Sequence, residues 1–259
     1  DIHTFEPDTL ATIDEHTSLH ELHRPRVLLV STALRDFAPR ARAMLSVSLQ
    51  RLLLPGLAAL GQIMDVILRP TPVVCNALSQ HSDVFHHDRV VLHLRLSGAW
   101  DPRGWAPETD LWVLRPPAVQ RAISLTKRLV QQLSADQVIV ASDDTQACVN
   151  LSSQFTSLAR VATLCQAPAT HSAVDTRVDR QAAVVADWLA LASKQCGQGR
   201  RLISVPGHTR AMVITRGSSF SATAAALAHV VPYTVYEHKV VRGYDCEAIG
   251  GWCDPTPPP

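Results

Sequence analysis

Apolar positions along this chain follow two rhythms. Short apolar runs, several of them β-branched, alternate with longer stretches in which apolar residues recur at helical spacing. The first 25 residues are polar. From Arg26 onward, Val27-Leu28-Leu29-Val30 is too brief for a helix and predicts a buried strand. A helix is expected next, with Asp36 near its start, Pro39 in its first turn, and Ala43, Leu45, Val47, Leu49, Leu52 and Leu53 running up to Pro55. Further helical stretches are expected over about 57–67 and 72–83. Arg89-Val90-Val91-Leu92-His93-Leu94-Arg95-Leu96 then reads as a strand, and its two polar residues near the exit, His93 and Arg95, are two apart and so share a side. Beyond a tryptophan-bearing loop, Ser97 to Arg115, the pattern predicts a helix over 117–134, a strand from Gln137 to Ala141, a helix over 144–157, a strand from Arg160 to Leu164 and a helix over 177–194. Two more apolar runs follow, Leu202 to Val205 and Ala211 to Thr215. The second leads into Arg216-Gly217-Ser218-Ser219-Phe220-Ser221 and an alanine-rich helix to about His229.

Strands alternating with helices imply right-handed crossovers and a mostly parallel sheet covered on both faces, an α/β, Rossmann-like, doubly wound domain. Its expected limits are 26–240, between a polar N-terminal arm at 1–25 and a tail at 241–259. The tail ends in Asp254-Pro255-Thr256-Pro257-Pro258-Pro259, which can extend neither helix nor sheet.

Composition narrows the function classes. With 259 residues, 46% of them hydrophobic, the chain can bury one sizeable core without metal support. Its 24 Lys and Arg against 23 Asp and Glu give a balance of +1, so no broad field gathers nucleic acid or anionic lipid. No transmembrane segment is expected, because the greasy stretch Met44 to Leu68 is broken by Gln50, Arg51, Pro55, Gly56 and Asp65. Asp1-Ile2-His3-Thr4 lacks the features of a signal peptide, so the numbering is expected to begin inside a longer precursor. His16, His20 and His23 would fall on one helical stripe with Glu15 and Glu21 nearby, either a metal face or a solvated arm. The six cysteines lack zinc-site spacing; Cys246 and Cys253, with Gly250-Gly251 between them, either bridge or remain two thiols. Asn150-Leu151-Ser152 fits the N-glycosylation acceptor pattern, which matters only in the secretory pathway.

Chemistry in an open parallel sheet belongs at the carboxyl ends of its strands, and three such places carry polar residues. Arg95 offers planar, multidentate hydrogen bonds to phosphate oxygens, with His93 beside it, unless the guanidinium is taken up by Asp143 or Asp144. The serine-rich start of the last helix presents free N–H groups and hydroxyls to an anion, while Ser218 or Ser219 also suits an ordinary cap. Asp143-Asp144 directly follows a strand, where it suits a cap for the next helix as well as a place in the site. Asp187, between Ala186 and Trp188 in an apolar run, must reach solvent, a cation or donors such as a purine's N–H edge.

Four of these segments together resemble the GDP-fucose-dependent fucosyltransferases, particularly the protein O-fucosyltransferases and α1,6-fucosyltransferases. Val91 to Trp100 is similar to their H-x-R strand segment, and Val138-Ile139-Val140-Ala141-Ser142-Asp143-Asp144 to a strand ending in an acidic pair. Val184 to Leu191 and Arg216 to Ser221 follow in the family's order. The resemblance implies the donor-binding half of a two-domain glycosyltransferase of the GT-B kind. It implies that Arg95 clamps the diphosphate beside His93, that Asp187 reads guanine, that Ser218, Ser219 and Phe220 receive phosphates and base, and that Asp143 and Asp144 shape the pocket. It further implies GDP-fucose as donor, a protein or glycan hydroxyl as acceptor, no cofactor or metal, and residence in the ER or Golgi lumen. Three departures accompany it. Cys196 to Arg210 looks like an insertion, Leu96-Ser97-Gly98-Ala99 replaces an arginine-rich and acidic continuation, and the residues before His93 are too few for a full acceptor domain. A catalytically silent relative serving as an interaction subunit, or a module for another nucleotide sugar, are the alternatives.

Overall fold

Arg89–Leu94 (β1) is buried at every position, so its sequence shows no polar alternation: it lies inside a sheet that has helices on both sides. The structure is a computed structural model and describes residues 61, 64–65, 68–96, 114–165 and 178–244. Among the described residues before β1 are a helix, Pro72–Ser79 (α1), and a 3-10 turn, Ser82–Phe85. After it come Pro116–Leu133 (α2), Gln137–Ser142 (β2), Thr145–Ser153 (α3), Arg160–Leu164 (β3) and Val178–Leu191 (α4). A small hairpin, Lys194–Cys196 (β4) with Leu202–Ser204 (β5), leads to Thr209–Thr215 (β6), Ser219–Leu227 (α5), Tyr233–Val235 (β7) and Val240–Arg242 (β8).

The main sheet runs β3-β2-β1-β6-β7-β8, parallel except for β8 against β7. Period-two alternation divides its side chains between two cores. Val91, Ile139, Met212 and Ile214 pack under α1, α4 and α5. Val90, Leu92, Val138, Val140 and Val213 pack under α2 and α3. Two prolines open α2, where missing N–H groups cost nothing, and Ser134 at φ +48 closes it with a left-handed cap.

At the foot of β1 the fully buried Arg89 donates from Nη1 to the Val84 carbonyl and from Nη2 to the Gly207 carbonyl. It thereby joins the 3-10 turn to the loop before β6. A Cβ on Gly207 would stand 2.2 Å from the His87 carbonyl oxygen, so only glycine allows this approach of two backbones.

Several expectations change in the structure. The helix predicted over 72–83 stops at Ser79, because the next turn tightens and sends Val84 and Phe85 into the core. The helix predicted to reach Lys194 ends at Leu191; Ser193 takes a left-handed φ of +57 and Lys194 opens β4, its Nζ 2.7 Å from Asp65. Leu202 to Ser204 does not join the main sheet. With Leu202 buried but Ile203 and Ser204 exposed, it is one-sided, and it pairs antiparallel with β4. Strands β7 and β8 escape the sequence pattern because each has three residues and mixed polarity. β8 spans the position where the pattern put the limit of the domain.

The described cysteines form two disulfides, Cys75–Cys196 and Cys148–Cys165, with Cα atoms 5.7 and 6.3 Å apart. The first pins α1 to the β4–β5 hairpin across 121 residues of chain. Loss of that bond in the double variant Cys75→Ala, Cys196→Ala is expected to lower stability by roughly 2–4 kcal/mol, read as a fall in the urea midpoint. The same midpoint with and without the bond would refute this. Cys246 and Cys253, the N-terminal histidine stripe, the strand at 27–30, the helix from Asp36 and most of the loop after β1 lie outside the described residues. Among the described residues no helix is long and apolar enough to cross a membrane.

Candidate functional site at the crossover between two central strands

Successive strands run outward from β1 to β3 on one side, and then the chain returns to lay β6 on the other side of β1. Strand order therefore reverses between β1 and β6, and this is the place where an open α/β sheet leaves a crevice above its carboxyl ends. Arg95 leaves β1 there. Its backbone N–H donates to Thr215 Oγ1 on β6 at 2.8 Å, which ties the two exits together. The guanidinium-bearing residue is half-buried.

From Thr215 the chain turns through Arg216 and Gly217, whose φ of +74 suits glycine, into α5. Ser218 caps that helix, its hydroxyl accepting from the Ser221 N–H at 3.4 Å. Ser219 is the first helical residue. Phe220 lies against His93, with ring centroids 5.6 Å apart and planes tilted by 40°. Ser221 is fully buried, and its hydroxyl has no hydrogen-bond partner among the described residues. His93, Arg95, Ser218, Ser219 and Phe220 are thus brought to one place. A cationic side chain and the positive end of a helix that share a crevice favour an anion with several oxygens.

Burial, then the charge of Arg95, pushes His93 down from 6.5 to about 4, partly offset by its own backbone. Its imidazole is neutral near pH 7 and is an uncharged neighbour for the guanidinium. Between about pH 6.5 and 4 the unfolded chain takes up a proton that the folded chain refuses. Stability is therefore full above that window and falls as the pH drops through it, by at most about 3 kcal/mol. His93→Gln is expected to flatten this slope in urea titrations at pH 7 and pH 5; an unchanged slope would show that the site does not hold His93 neutral.

The other sequence candidates take different places. Asp143 Oδ1 accepts from the Leu96 N–H at 2.7 Å and steadies the chain as it leaves β1. Asp144 caps α3, accepting from the Ala147 N–H at 2.9 Å. Asp187, on α4, has its Oδ1 2.9 Å from His81 Nε2 across the seam with α1, close enough for charge pairing but without hydrogen-bond geometry. Sequence reasoning missed Thr215 as the tie between strands and His81 as the partner of Asp187. Neither carries a local signal, since each acts across more than 100 residues of chain. It also missed the end of β7, where the guanidinium of Arg216 stands 5.4 Å and the ammonium of Lys239 5.5 Å from the Tyr236 ring centre. A separate groove of about 520 Å³ between α2 and β7–β8 is lined by Arg121, Arg128, Tyr233 and Arg242, on the flank of the sheet and away from this crossover.

Fold and crossover define an α/β protein with a Rossmann-like, mostly parallel six-stranded sheet. No protein-family model matches the chain, and no curated protein matches it in sequence. Among solved structures it is similar to POFUT1 in complex with GDP, crystal form III, with TM-score 0.40 and 13% identity, covering 68% of this chain and 49% of that one. A high-resolution structure of POFUT1 with GDP gives 0.39 and 13%, covering 69% and 51%. POFUT1 with GDP-fucose, crystal form I, gives 0.37 and 14%, covering 64% and 45%. The chain spans about half the length of these proteins.

Proposed function

We propose that this chain is the nucleotide-sugar-binding half of a GT-B-type fucosyltransferase, holding GDP-fucose while its sugar passes to a protein or glycan hydroxyl. The observation that carries the reading is the meeting of Arg95 and the start of α5 at the β1–β6 crossover. A diphosphate laid there would receive the guanidinium fork on one side and helix N–H groups on the other. Because negative charge grows on GDP as its bond to fucose breaks, these donors stabilise the transition state more than the ground state. Neutral His93 keeps a second positive charge away from Arg95 and lends its ring to Phe220. No cofactor or metal enters this scheme.

Asp187 is the guanine reader in this reading. Its buried Oδ1 lies 2.9 Å from His81 Nε2 but has no donor in hydrogen-bond geometry among the described residues. The two disulfides suit an oxidising compartment and support residence in the ER or Golgi lumen. Calorimetry with GDP, GDP-fucose and UDP tests the proposal. Binding of both guanosine ligands with UDP clearly weaker is expected, and Asp187→Ala should reduce that preference. A chain that binds none of the three sinks the reading. A preference that survives in Asp187→Ala moves base recognition to another residue.

A further inference from the structure

Asn150 is one of two asparagines in the chain, and the other, Asn76, is followed by Ala77-Leu78 and fits no acceptor pattern. Asn150-Leu151-Ser152 is therefore the only N-glycosylation triplet in these 259 residues. In the structure it lies on α3. That helix turns Cys148 and Leu151 toward the sheet and leaves Thr145, Gln146, Val149, Asn150 and Ser153 as one exposed stripe. Asn150 is in the middle of the stripe, where a bulky, hydrated substituent would displace no packed side chain. The helix covers β2 and β3, beyond β1 on the side away from β6, so a chain of sugars there leaves the crossover open. Two residues before Asn150, Cys148 is bonded to Cys165, a link that persists in the oxidising compartments where such glycans are attached.

We propose that Asn150 carries an N-linked oligosaccharide. In the transfer, the side-chain amide nitrogen of Asn150 bonds to the anomeric carbon of a lipid-diphosphate-linked oligosaccharide. The bond from that carbon to the diphosphate breaks, and the proton lost from nitrogen ends on the released diphosphate. The folded helix also sets the order of events. Ser152 Oγ donates to the Cys148 carbonyl at 2.7 Å, and Asn150 Oδ1 lies 3.4 Å from Gln146 Nε2, so the hydroxyl and amide of the triplet are engaged with α3 itself. Attachment therefore precedes closure of α3 and of the Cys148–Cys165 bond. This inference rests on the disulfides and the exposed stripe, not on the donor-site reading, so the two can fail separately.

The test is expression of the chain behind a secretory leader in a eukaryotic cell, followed by non-reducing electrophoresis and digestion with an endoglycosidase specific for N-linked chains. One step in mass is expected, removed by the enzyme, absent in Asn150→Gln and Ser152→Ala, and kept in Ser152→Thr. GDP affinity should be the same with and without the glycan. Freeing the triplet from early closure, in Cys148→Ser with Cys165→Ser, should leave the modified fraction equal or higher. A secreted, disulfide-bonded chain that runs at its polypeptide mass overturns the proposal, and so does a step that persists in Asn150→Gln.

Discussion

Alanine at Arg95 is expected to weaken GDP binding by roughly 10- to 100-fold, the loss that follows when charge-assisted hydrogen bonds worth about 1.5–3 kcal/mol are removed. The side chain leaves β1 beside the start of α5, and the fixed donors of that helix remain in the variant, so binding falls without disappearing. Under the proposed donor-site reading, transfer should suffer more than GDP-fucose binding. Charge on the leaving diphosphate is greater in the transition state than in the bound donor, and removal of one such donor costs about 10²–10³ in kcat. Arg95→Lys restores the charge but not the planar fork, so an intermediate affinity is expected. The fold should survive, because the tie to Thr215 uses the backbone N–H of residue 95. An Arg95→Ala protein that melts normally and binds GDP as tightly as the parent would remove the phosphate clamp from this place.

The largest loss of stability is expected from Arg89→Leu. The guanidinium is fully buried and donates to the carbonyls of Val84 and Gly207. Burial lowers its pKa to about 10, against the opposing pull of Asp88, so it is still charged at neutral pH. Leucine would fill part of the space and leave two buried carbonyls without donors, a cost of about 3–5 kcal/mol. In a chain of this size that lowers Tm by roughly 10 °C. GDP affinity should be unchanged wherever the variant is folded, since Arg89 lies about 20 Å down the strand from Arg95. A melting temperature equal to the parent's would show that water replaces the lost donors at the foot of the sheet.

Arg89 and Arg95 also show the limit of reading a strand from its letters. Both flank the same apolar run, and only position in the sheet separates an arginine that staples two loops from one at a crevice. The reversal of strand order between β1 and β6 gives Arg95 its setting, and that reversal depends on which strand returns to pair with β1. Asp143, Asp144 and Asp187 make the same point. An acidic pair after a strand is visible in sequence, but whether it caps a helix, holds the next peptide or faces a ligand depends on partners that fold in from elsewhere. Asp144 caps α3 from three residues away, a relation within reach of local reading. Asp187 meets His81 from a distant helix, which no local pattern reports.

By itself the order of apolar runs determined the α/β class, the mostly parallel pairing and the positions of β1, β2 and β6, because burial on both faces demands nearly uninterrupted apolar residues over a strand's length, and it also placed the edge strand β3. It also determined that serines open α5 and that prolines open α2, since caps and missing N–H groups act within one turn. Tertiary structure alone decided the strand order, the Cys75–Cys196 and Cys148–Cys165 pairs, the separate β4–β5 hairpin and the short strands β7 and β8. Each of these is a choice of partner across space. A three-residue strand or a lone cysteine carries too little surface to announce its partner, and only the closed core settles which groups are left to meet.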